Sequence, residues 1–335
     1  MTARLVVEDL HVEIGTDEGP VLAVAGASFS IAPGEVLALV GESGCGKSMT
    51  AMSILRLLPP GATLTGSIAL EGRELTTLSR RQMREVRGRD VSMVFQEPMT
   101  SLNPSFTVGF QVGEVLRRHR ALSRREARQR VLELLDLVRI PAPARRIDEY
   151  PHQMSGGMRQ RVVIAMAVAC NPKLLIADEP TTALDVTIQA QILDVIRDLR
   201  QRIDSSILLI THDLGVVADI ADRVEVMYAG HRVESGAVDD LFRDPQHPYT
   251  MGLLGAVPRP DLAATDGRAR LQEIPGLVPT LRKPPTACVF APRCPRADAA
   301  CQARVPPFAF TAARQQAACF HPGHHHPSVG AGARA

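Results

Sequence analysis

Residues 41–49 have the residue types and the spacing of a loop that binds phosphate. They are Gly41, Glu42, Ser43, Gly44, Cys45, Gly46, Lys47, Ser48 and Met49. Glycine adopts backbone conformations that other residues avoid, so successive N–H groups can surround an anion at the N-terminus of a helix. In this pattern Lys47 reaches the β- and γ-phosphates of a nucleotide and Ser48 contacts Mg²⁺. A chance glycine-rich turn is the alternative, and the apolar, strand-like run before the loop disfavours it.

Two adjacent carboxylates, Asp178 and Glu179, follow the apolar residues 174–177. In an open parallel sheet the carboxyl ends of the strands face the ligand crevice. Asp178 is therefore predicted to hold the hydration shell of Mg²⁺, and Glu179 is predicted to be the base for an attacking water. An Asp-Glu pair after a strand can instead cap a helix, and the phosphate loop is what favours the catalytic interpretation.

Alternating strands and helices must position these residues. Apolar runs bounded by Gly or Pro predict strands at residues 5–14, 27–31, 36–40, 67–70, 91–95, 174–177 and 207–211. Helical periodicity predicts a helix that begins near Ser48 and two more at residues 157–170 and 188–202. This alternation implies a parallel sheet covered on both faces, so the predicted fold class is α/β, a P-loop NTPase. A second helical stretch predicts an inserted helical subdomain at about residues 97–160.

Composition excludes several function classes. The 335 residues suggest about two domains. With 38 Lys+Arg against 36 Asp+Glu the net charge is +2, too small for a protein that holds nucleic acid mainly by charge. A membrane-spanning helix needs about 18 apolar residues, and no apolar run here is nearly that long. The N-terminus also lacks the basic-then-apolar pattern of a signal peptide, so we expect a soluble, cytoplasmic chain.

The composition changes after residue 235. Ten of the 25 prolines and four of the six cysteines follow residue 274, and residues 281–335 have seven Lys+Arg against one acidic residue. We therefore predict a nucleotide-binding domain at 1–235 and a small C-terminal Cys/Pro-rich module at 236–335 that ends in a disordered tail. Because this module is too poor in apolar periodicity for a large core, another interaction should stabilise it.

Four cysteines at residues 285–322 are candidate metal ligands. They are Cys288, Cys294, Cys301 and Cys319. In a reducing compartment thiols gathered in this way more often bind metal than form disulfides. Their spacing lacks the paired C-x₂-C knuckles of structural zinc sites, so an iron–sulfur cluster is favoured over zinc and over unmetallated thiols.

Residues 154–161, Met-Ser-Gly-Gly-Met-Arg-Gln-Arg, closely resemble the signature sequence of ATP-binding cassette (ABC) proteins. The resemblance implies that Ser155, Gly156 and Gly157 open a helix and close over the γ-phosphate of ATP held by a partner subunit. It also implies that the nucleotide is ATP and that the chain hydrolyses it.

Three further ABC motifs occur in the expected order. Gln96 matches the glutamine that contacts Mg²⁺ and the attacking water. Residues 183–185, which end in Asp185, match the loop that crosses the interface between two ATPase subunits. His212 matches the histidine that contacts the γ-phosphate. The resemblance therefore implies three catalytic residues, Glu179, His212 and Gln96.

The ABC resemblance covers about residues 5–235 and departs from the family pattern at two positions. The aromatic residue expected to stack on adenine falls at about Ile14, and no aromatic residue precedes Phe29. Met158 replaces the commoner glutamine of the signature. Adenine stacking should therefore be weaker, while the Ser-Gly-Gly backbone is intact.

A narrower likeness extends the match to about residue 322. Residues 96–104, 245–250 and 274–279, together with the C-terminal cysteines, look like the ATPases of dipeptide, oligopeptide and nickel importers. This likeness implies a motor subunit on the cytoplasmic face of the membrane, with two permeases, a second and paralogous ATPase, and an extracytoplasmic binding protein. It also implies a [4Fe–4S] cluster at the four cysteines. The alternative is a soluble ABC ATPase that acts on nucleic acid or ribosomes; such proteins usually have two cassettes or long coiled coils, so no nucleic-acid partner is expected.

Overall fold

Two β-sheets form the framework of the chain, of which the structure, a computed structural model, describes residues 3–96, 101–181, 185–256, 273–312 and 315–323. The smaller sheet is antiparallel, with the order β2-β1-β4-β5, and consists of β1 (Leu5–Ile14), β2 (Val21–Ile31), β4 (Thr63–Leu70) and β5 (Arg73–Glu74). The larger sheet has the order β11-β12-β10-β9-β3-β8-β7-β6. Its strands are β3 (Val36–Val40), β6 (Val91–Val94), β7 (Leu174–Asp178), β8 (Ser206–Ile210), β9 (Arg223–Tyr228), β10 (His231–Ala237), β11 (Ala309–Ala312) and β12 (Gln315–Ala317).

Helices cover the sheets and form the insertion. They are α1 (Lys47–Ile54), α2 (Arg80–Val86), α3 (Val108–Arg120), α4 (Arg124–Leu137), α5 (Pro143–Arg146), α6 (Gly156–Val168), α7 (Val186–Arg202), α8 (Leu214–Ile220), α9 (Val238–Arg243), α10 (Pro248–Gly255) and α11 (Ala299–Ala303). None of the helices in the described residues is long and apolar enough to cross a membrane.

The centre of the larger sheet is parallel, as the sequence predicts. Strands β9, β3, β8, β7 and β6 pair in that order and in parallel. Every residue of β3, β7 and β8 is buried, because helices cover both faces of such a sheet. The carboxyl ends of β3, β6, β7 and β8 therefore meet at one edge, where the candidate site residues follow.

The predicted helical insertion is confirmed, while its limits at about 97 and 160 stay a prediction. Ser123 begins α4 with a capping box in which its side chain and that of Glu126 bond to each other's backbone N–H groups. The buried faces of α3 and α4, with Val112 and Leu134, join one apolar cluster with α6 residues such as Val162. Packing on α6 thus connects the insertion to the parallel sheet.

Two strands are longer than the sequence predicts. β2 begins at Val21 rather than at residue 27, and β4 begins at Thr63 rather than at residue 67. The missed half of β2 is rich in alanine and contains Gly26, residues with weak strand preference. β2 and β4 lie on the two sides of β1, and their pairing with β1 stabilises these segments regardless of that preference.

The described residues after 235, here called the C-terminal segment, continue the larger sheet. Strand β12 pairs antiparallel with β10, and β11 pairs with β12. Phe290 lies 5.2 Å from the Tyr228 ring and 5.5 Å from the Tyr249 ring, measured between centroids. The predicted boundary at residue 235 stays a prediction, and the predicted tail, Gly323 to Ala335, lies outside the described residues except for Gly323 itself.

Candidate ATP-binding and hydrolysis site

The phosphate loop connects β3 to α1, and two of its glycines are required by their surroundings. Gly41 has φ +148°, and a Cβ there would lie 2.2 Å from the Met227 carbonyl oxygen. Gly46 has φ +97°, and its Cβ would lie 2.3 Å from the Ala23 carbonyl oxygen. Any larger residue at either position would have to displace a backbone segment.

The remaining loop residues differ in exposure. Ser43 and Gly44 are exposed, Met49 is half-buried, and Cys45 is buried with its Sγ 2.7 Å from the Glu42 carbonyl oxygen. Burial raises the pKa of Cys45. The exposed turn at Ser43 and Gly44 leaves this part of the loop accessible to a ligand.

Lys47 puts a positive charge inside the loop. Its side chain belongs to the first turn of α1 and is 6% exposed. Nζ donates hydrogen bonds to the carbonyl oxygens of Gly41 at 2.7 Å and Glu42 at 2.8 Å. A confined ammonium group at a helix N-terminus favours an anionic ligand, and the role of Lys47 in phosphate binding stays a prediction.

Ser48 and Asp178 form a pair of oxygen ligands. Ser48 Oγ donates to Asp178 Oδ1 at 3.2 Å, across from α1 to the end of β7. Asp178 is 3% exposed, and burial raises its pKa while the Ser48 hydrogen bond opposes that shift. Hydroxyl and carboxylate oxygens suit Mg²⁺, and a cation here would favour the ionised carboxylate. The residues present therefore fit the predicted Mg²⁺.

Glu179 lies between Gln96 and His212. Gln96 Nε2 donates to Glu179 Oε2 at 3.0 Å, and His212 Nδ1 lies 3.1 Å from Glu179 Oε1. These three residues follow β6, β7 and β8, so the parallel sheet itself gathers them. Glu179 also has φ +46°, a left-handed conformation that non-glycine residues rarely adopt and that clusters at functional sites.

The signature residues lie at the N-terminus of α6. The Ser155 hydroxyl accepts from the Met158 N–H at 3.4 Å, and Ser155 and Gly156 are exposed. Gly157 is buried, and a Cβ there would lie 2.6 Å from Ile188 Cγ2, so a glycine allows α6 to pack on α7. Within this chain these residues have a helix-forming role, and their exposure leaves them accessible to a partner.

Asp185 caps α7, accepting from the Ile188 N–H at 3.0 Å, and is exposed. Ala183 and Leu184, the other residues of that motif, lie outside the described residues. Ile14, where the adenine-stacking aromatic is missing, ends β1 opposite Val21.

Two residues that contact the phosphate loop were missed from the sequence. The Glu42 N–H donates to Tyr249 Oη at 2.8 Å, and Arg293 donates to both carboxylate oxygens of Glu42. Tyr249 lies in the stretch 245–250 that resembles peptide importers, and Arg293 precedes Cys294. The resemblance of these stretches to peptide importers was a sign that the two residues matter. The sequence did not indicate that they contact Glu42, which lies more than 200 residues earlier in the chain.

Comparison with known proteins identifies the family. A model described as "ABC transporter" matches residues 24–182, and one described as "Oligopeptide/dipeptide transporter, C-terminal region" matches residues 233–301. The dipeptide transport ATP-binding protein DppD of Bacillus subtilis is 55% identical over 303 residues, which is 90% of this chain and 89% of that protein. The chain belongs to the ABC transporter family.

Further relatives of this ABC chain agree in sequence and in fold. The oligopeptide transport ATP-binding protein OppD of Bacillus subtilis is 54% identical over 295 residues, 88% of this chain and 82% of that protein. The cassette MJ0796, solved as a dimer bound to ADP and Pi in a post-hydrolysis state, aligns with a TM-score of 0.62 at 27% identity. That alignment covers 70% of this chain and 98% of the cassette. The P-loop ABC fold class is thus confirmed.

The prediction of a [4Fe–4S] cluster is wrong. The matching relatives and the matching family are described as ABC transport proteins, and none of these descriptions includes an iron–sulfur cluster. The four cysteines line one small cavity. However, the one group of three or more metal-ligand atoms within 4.8 Å of one another, among the described residues, is Asp298, Cys301 and His321. That group contains a single cysteine of the four.

The environment of the cysteines also favours neutral thiols. Burial raises the pKa of Cys294, and it raises the pKa of Cys319 to about 11. Metal clusters bind the thiolate form. The two alternatives, zinc and unmetallated thiols, stay predictions.

Proposed function

We propose that this ABC chain is the ATP-hydrolysing motor subunit of an importer for dipeptides, oligopeptides or a related small solute. The observation that supports it most directly is the contact of Glu179 with Gln96 and His212, next to the Ser48–Asp178 pair and the phosphate loop. The transport functions for which DppD and OppD are named, those of dipeptides and oligopeptides, supply the substrate class.

The chain's own residues divide the reaction between them. Lys47 and the loop N–H groups bind and orient the phosphates of ATP. Glu179 takes a proton from the attacking water, which contributes about 10² to 10⁴ in rate. Gln96 and His212 each contact one oxygen of that carboxylate and so fix its orientation. Mg²⁺, when bound at Ser48 and Asp178, would neutralise charge on the phosphates.

Each hydrolysis site would be completed by a second ATPase subunit. Ser155 and Gly156 are exposed at the start of α6, where the helix N-terminus can receive a γ-phosphate held by the partner. We further propose that the partner is a paralogue, that two membrane permeases fed by an extracytoplasmic binding protein complete the importer, and that the chain lies on the cytoplasmic face of the membrane.

The test combines co-purification with transport. Cells that lack the native gene should lose ATP-dependent uptake of labelled dipeptides, and the wild-type chain should restore it. Lys47→Ala should not restore uptake, because it removes the ammonium group from the loop. Lys173→Ala is the matched control, because Lys173 is half-exposed and pairs with Glu71.

The tagged chain purified from membranes should bring two permeases and a second ATPase with it. Full uptake with Lys47→Ala, or co-purification of ribosomes or nucleic acid alone, would contradict the proposal. The latter outcome would favour the alternative of a soluble ABC ATPase.

A further inference from the structure

Arg293 connects the C-terminal segment to the phosphate loop through a partly buried ion pair. Its Nη1 donates to Glu42 Oε2 at 2.7 Å and its Nη2 donates to Glu42 Oε1 at 3.0 Å. This is the two-pronged geometry in which an arginine binds a carboxylate most strongly. Arg293 is 7% exposed, whereas the Glu42 side chain is 32% exposed, so water reaches the pair from the Glu42 side only.

The guanidinium group is held in one orientation. Besides Glu42, Nε donates to the Pro275 carbonyl oxygen at 2.8 Å, Nη2 to the Ile274 carbonyl oxygen at 3.1 Å, and Nη1 to Tyr228 Oη at 3.5 Å. These contacts employ all five N–H donors of an arginine. The pair with Glu42 raises the pKa of Arg293, so the charge is present throughout the physiological range.

Glu42 is in turn the residue on which the start of the loop depends. Its N–H donates to Tyr249 Oη at 2.8 Å, and its carbonyl oxygen accepts from Lys47 Nζ at 2.8 Å. The side chain, the N–H and the carbonyl oxygen of one residue therefore each have a separate partner. Arg293 and Tyr249 come from the C-terminal segment, whereas the carbonyl oxygen accepts from two residues of the loop itself, Lys47 and Cys45.

We propose that Arg293 is a positioning residue for ATP binding: through Glu42 it fixes the first turn of the phosphate loop in the conformation that binds the nucleotide. This inference rests on the proposed function, since it concerns the same ATP site. In this proposal Arg293 acts through Glu42 and not on the nucleotide directly. Its removal should therefore weaken ATP binding and leave the hydrolysis step, which depends on Glu179, nearly unchanged.

A merely structural role for Arg293 makes a different prediction. If the arginine only anchored the C-terminal segment, its loss would lower stability without changing the affinity for ATP. Arg296, three residues further on, is a suitable comparison, because it contacts the Gly323 carbonyl oxygen and Met251 Sδ and anchors the same segment. Its described contacts do not include the phosphate loop.

The experiment measures KM for ATP, kcat and the thermal unfolding midpoint of the full chain in its assembled complex. Arg293→Ala should raise KM about tenfold, the equivalent of about 1.4 kcal/mol, with kcat within about twofold of wild type. Arg293→Lys should recover part of this loss, since a lysine keeps the charge but not the two-pronged geometry. Arg296→Ala should leave KM unchanged even if it lowers the unfolding midpoint.

Glu42→Gln gives a second route if Arg293→Ala does not fold. It removes the charge while keeping the shape, and it should raise KM in the same direction. Combined with Arg293→Ala it should add little, because both changes break one interaction. A KM within about twofold of wild type for both Arg293→Ala and Glu42→Gln would overturn the inference. An equal rise in KM for Arg296→Ala would do the same. A wild-type complex without ATPase activity would instead overturn the proposed function, and the inference with it.

Discussion

Replacing Glu179 with glutamine should slow ATP hydrolysis by about 10² to 10⁴ and leave ATP binding intact. The glutamine side chain has nearly the same shape, so its amide oxygen can still accept a hydrogen bond from Gln96 or from His212. It cannot take a proton from water. The change therefore removes the chemistry of Glu179 and preserves most of its packing.

The expected size distinguishes a base from a positioning group. A loss of 10² to 10⁴ in rate corresponds to about 2.7 to 5.4 kcal/mol in activation free energy. The contacts of Glu179 with Gln96 and His212 are 3.0 and 3.1 Å long. Losing one such hydrogen bond costs about 1 kcal/mol, which is a factor of about five. A drop of only about fivefold would thus indicate that Glu179 merely helps to align its neighbours.

The assay is the initial rate of phosphate release by the assembled complex with saturating Mg-ATP, together with an equilibrium titration of ATP. Glu133→Gln on α4 is the matched control, because Glu133 forms an exposed ion pair with Arg130. The control should keep the wild-type rate. Turnover of the Glu179→Gln complex within about fivefold of wild type would refute the assignment of the base.

Two further outcomes follow from the structure. Gly46→Ala should abolish measurable ATP binding in a titration, because the new Cβ would lie 2.3 Å from the Ala23 carbonyl oxygen. Gly34→Ala is the control and should bind ATP normally, because Gly34 also has a positive φ, +72°, but has open space around it. Normal ATP binding by Gly46→Ala would contradict the argument. Burial lowers the pKa of His231 to about 4 and of His247 to about 3, against 6.5 for an unperturbed histidine. Because the unfolded chain then binds more protons, the free energy of unfolding should be highest above about pH 6.5 and should fall below it by up to about 1.4 kcal/mol per pH unit for each histidine. Urea unfolding at several pH values measures this slope, and a slope that His247→Asn leaves unchanged would remove His247 as a cause.

Local sequence signals predicted the parallel sheet and the residues at its edge. Strands such as β3, β7 and β8 are short apolar runs, and chemically distinctive residues follow each of them directly. Because the carboxyl ends of parallel strands face one crevice, the position of Asp178 and Glu179 directly after a strand was enough to predict that they lie at the ligand edge. Neither a long loop nor a distant partner was needed for that step.

Interactions between distant parts of the chain could not be predicted in the same way. Strands β11 and β12 are four and three residues long and acquire their conformation by pairing, β12 with β10 and β11 with β12. The Arg293–Glu42 pair spans 251 residues. The cysteine spacing did indicate that the four thiols share one cavity, but a spacing contains no information on whether their sulfur atoms reach the distances that metal binding requires.

The stability of the C-terminal segment depends on such interactions between distant parts of the chain. The sequence suggested that a segment with so little apolar periodicity needs a metal. That inference assumed that only residues of the segment itself form its apolar core. In the structure, Phe290 is 2% exposed and packs against Tyr228 of β9 and Tyr249 of α10, which are both fully buried. Full burial of a phenylalanine side chain such as Phe290 contributes about 1.5 to 3 kcal/mol. Part of the core that stabilises the segment, including Tyr228, thus belongs to the nucleotide-binding part of the chain, and through Arg293 and Tyr249 the segment reaches the phosphate loop.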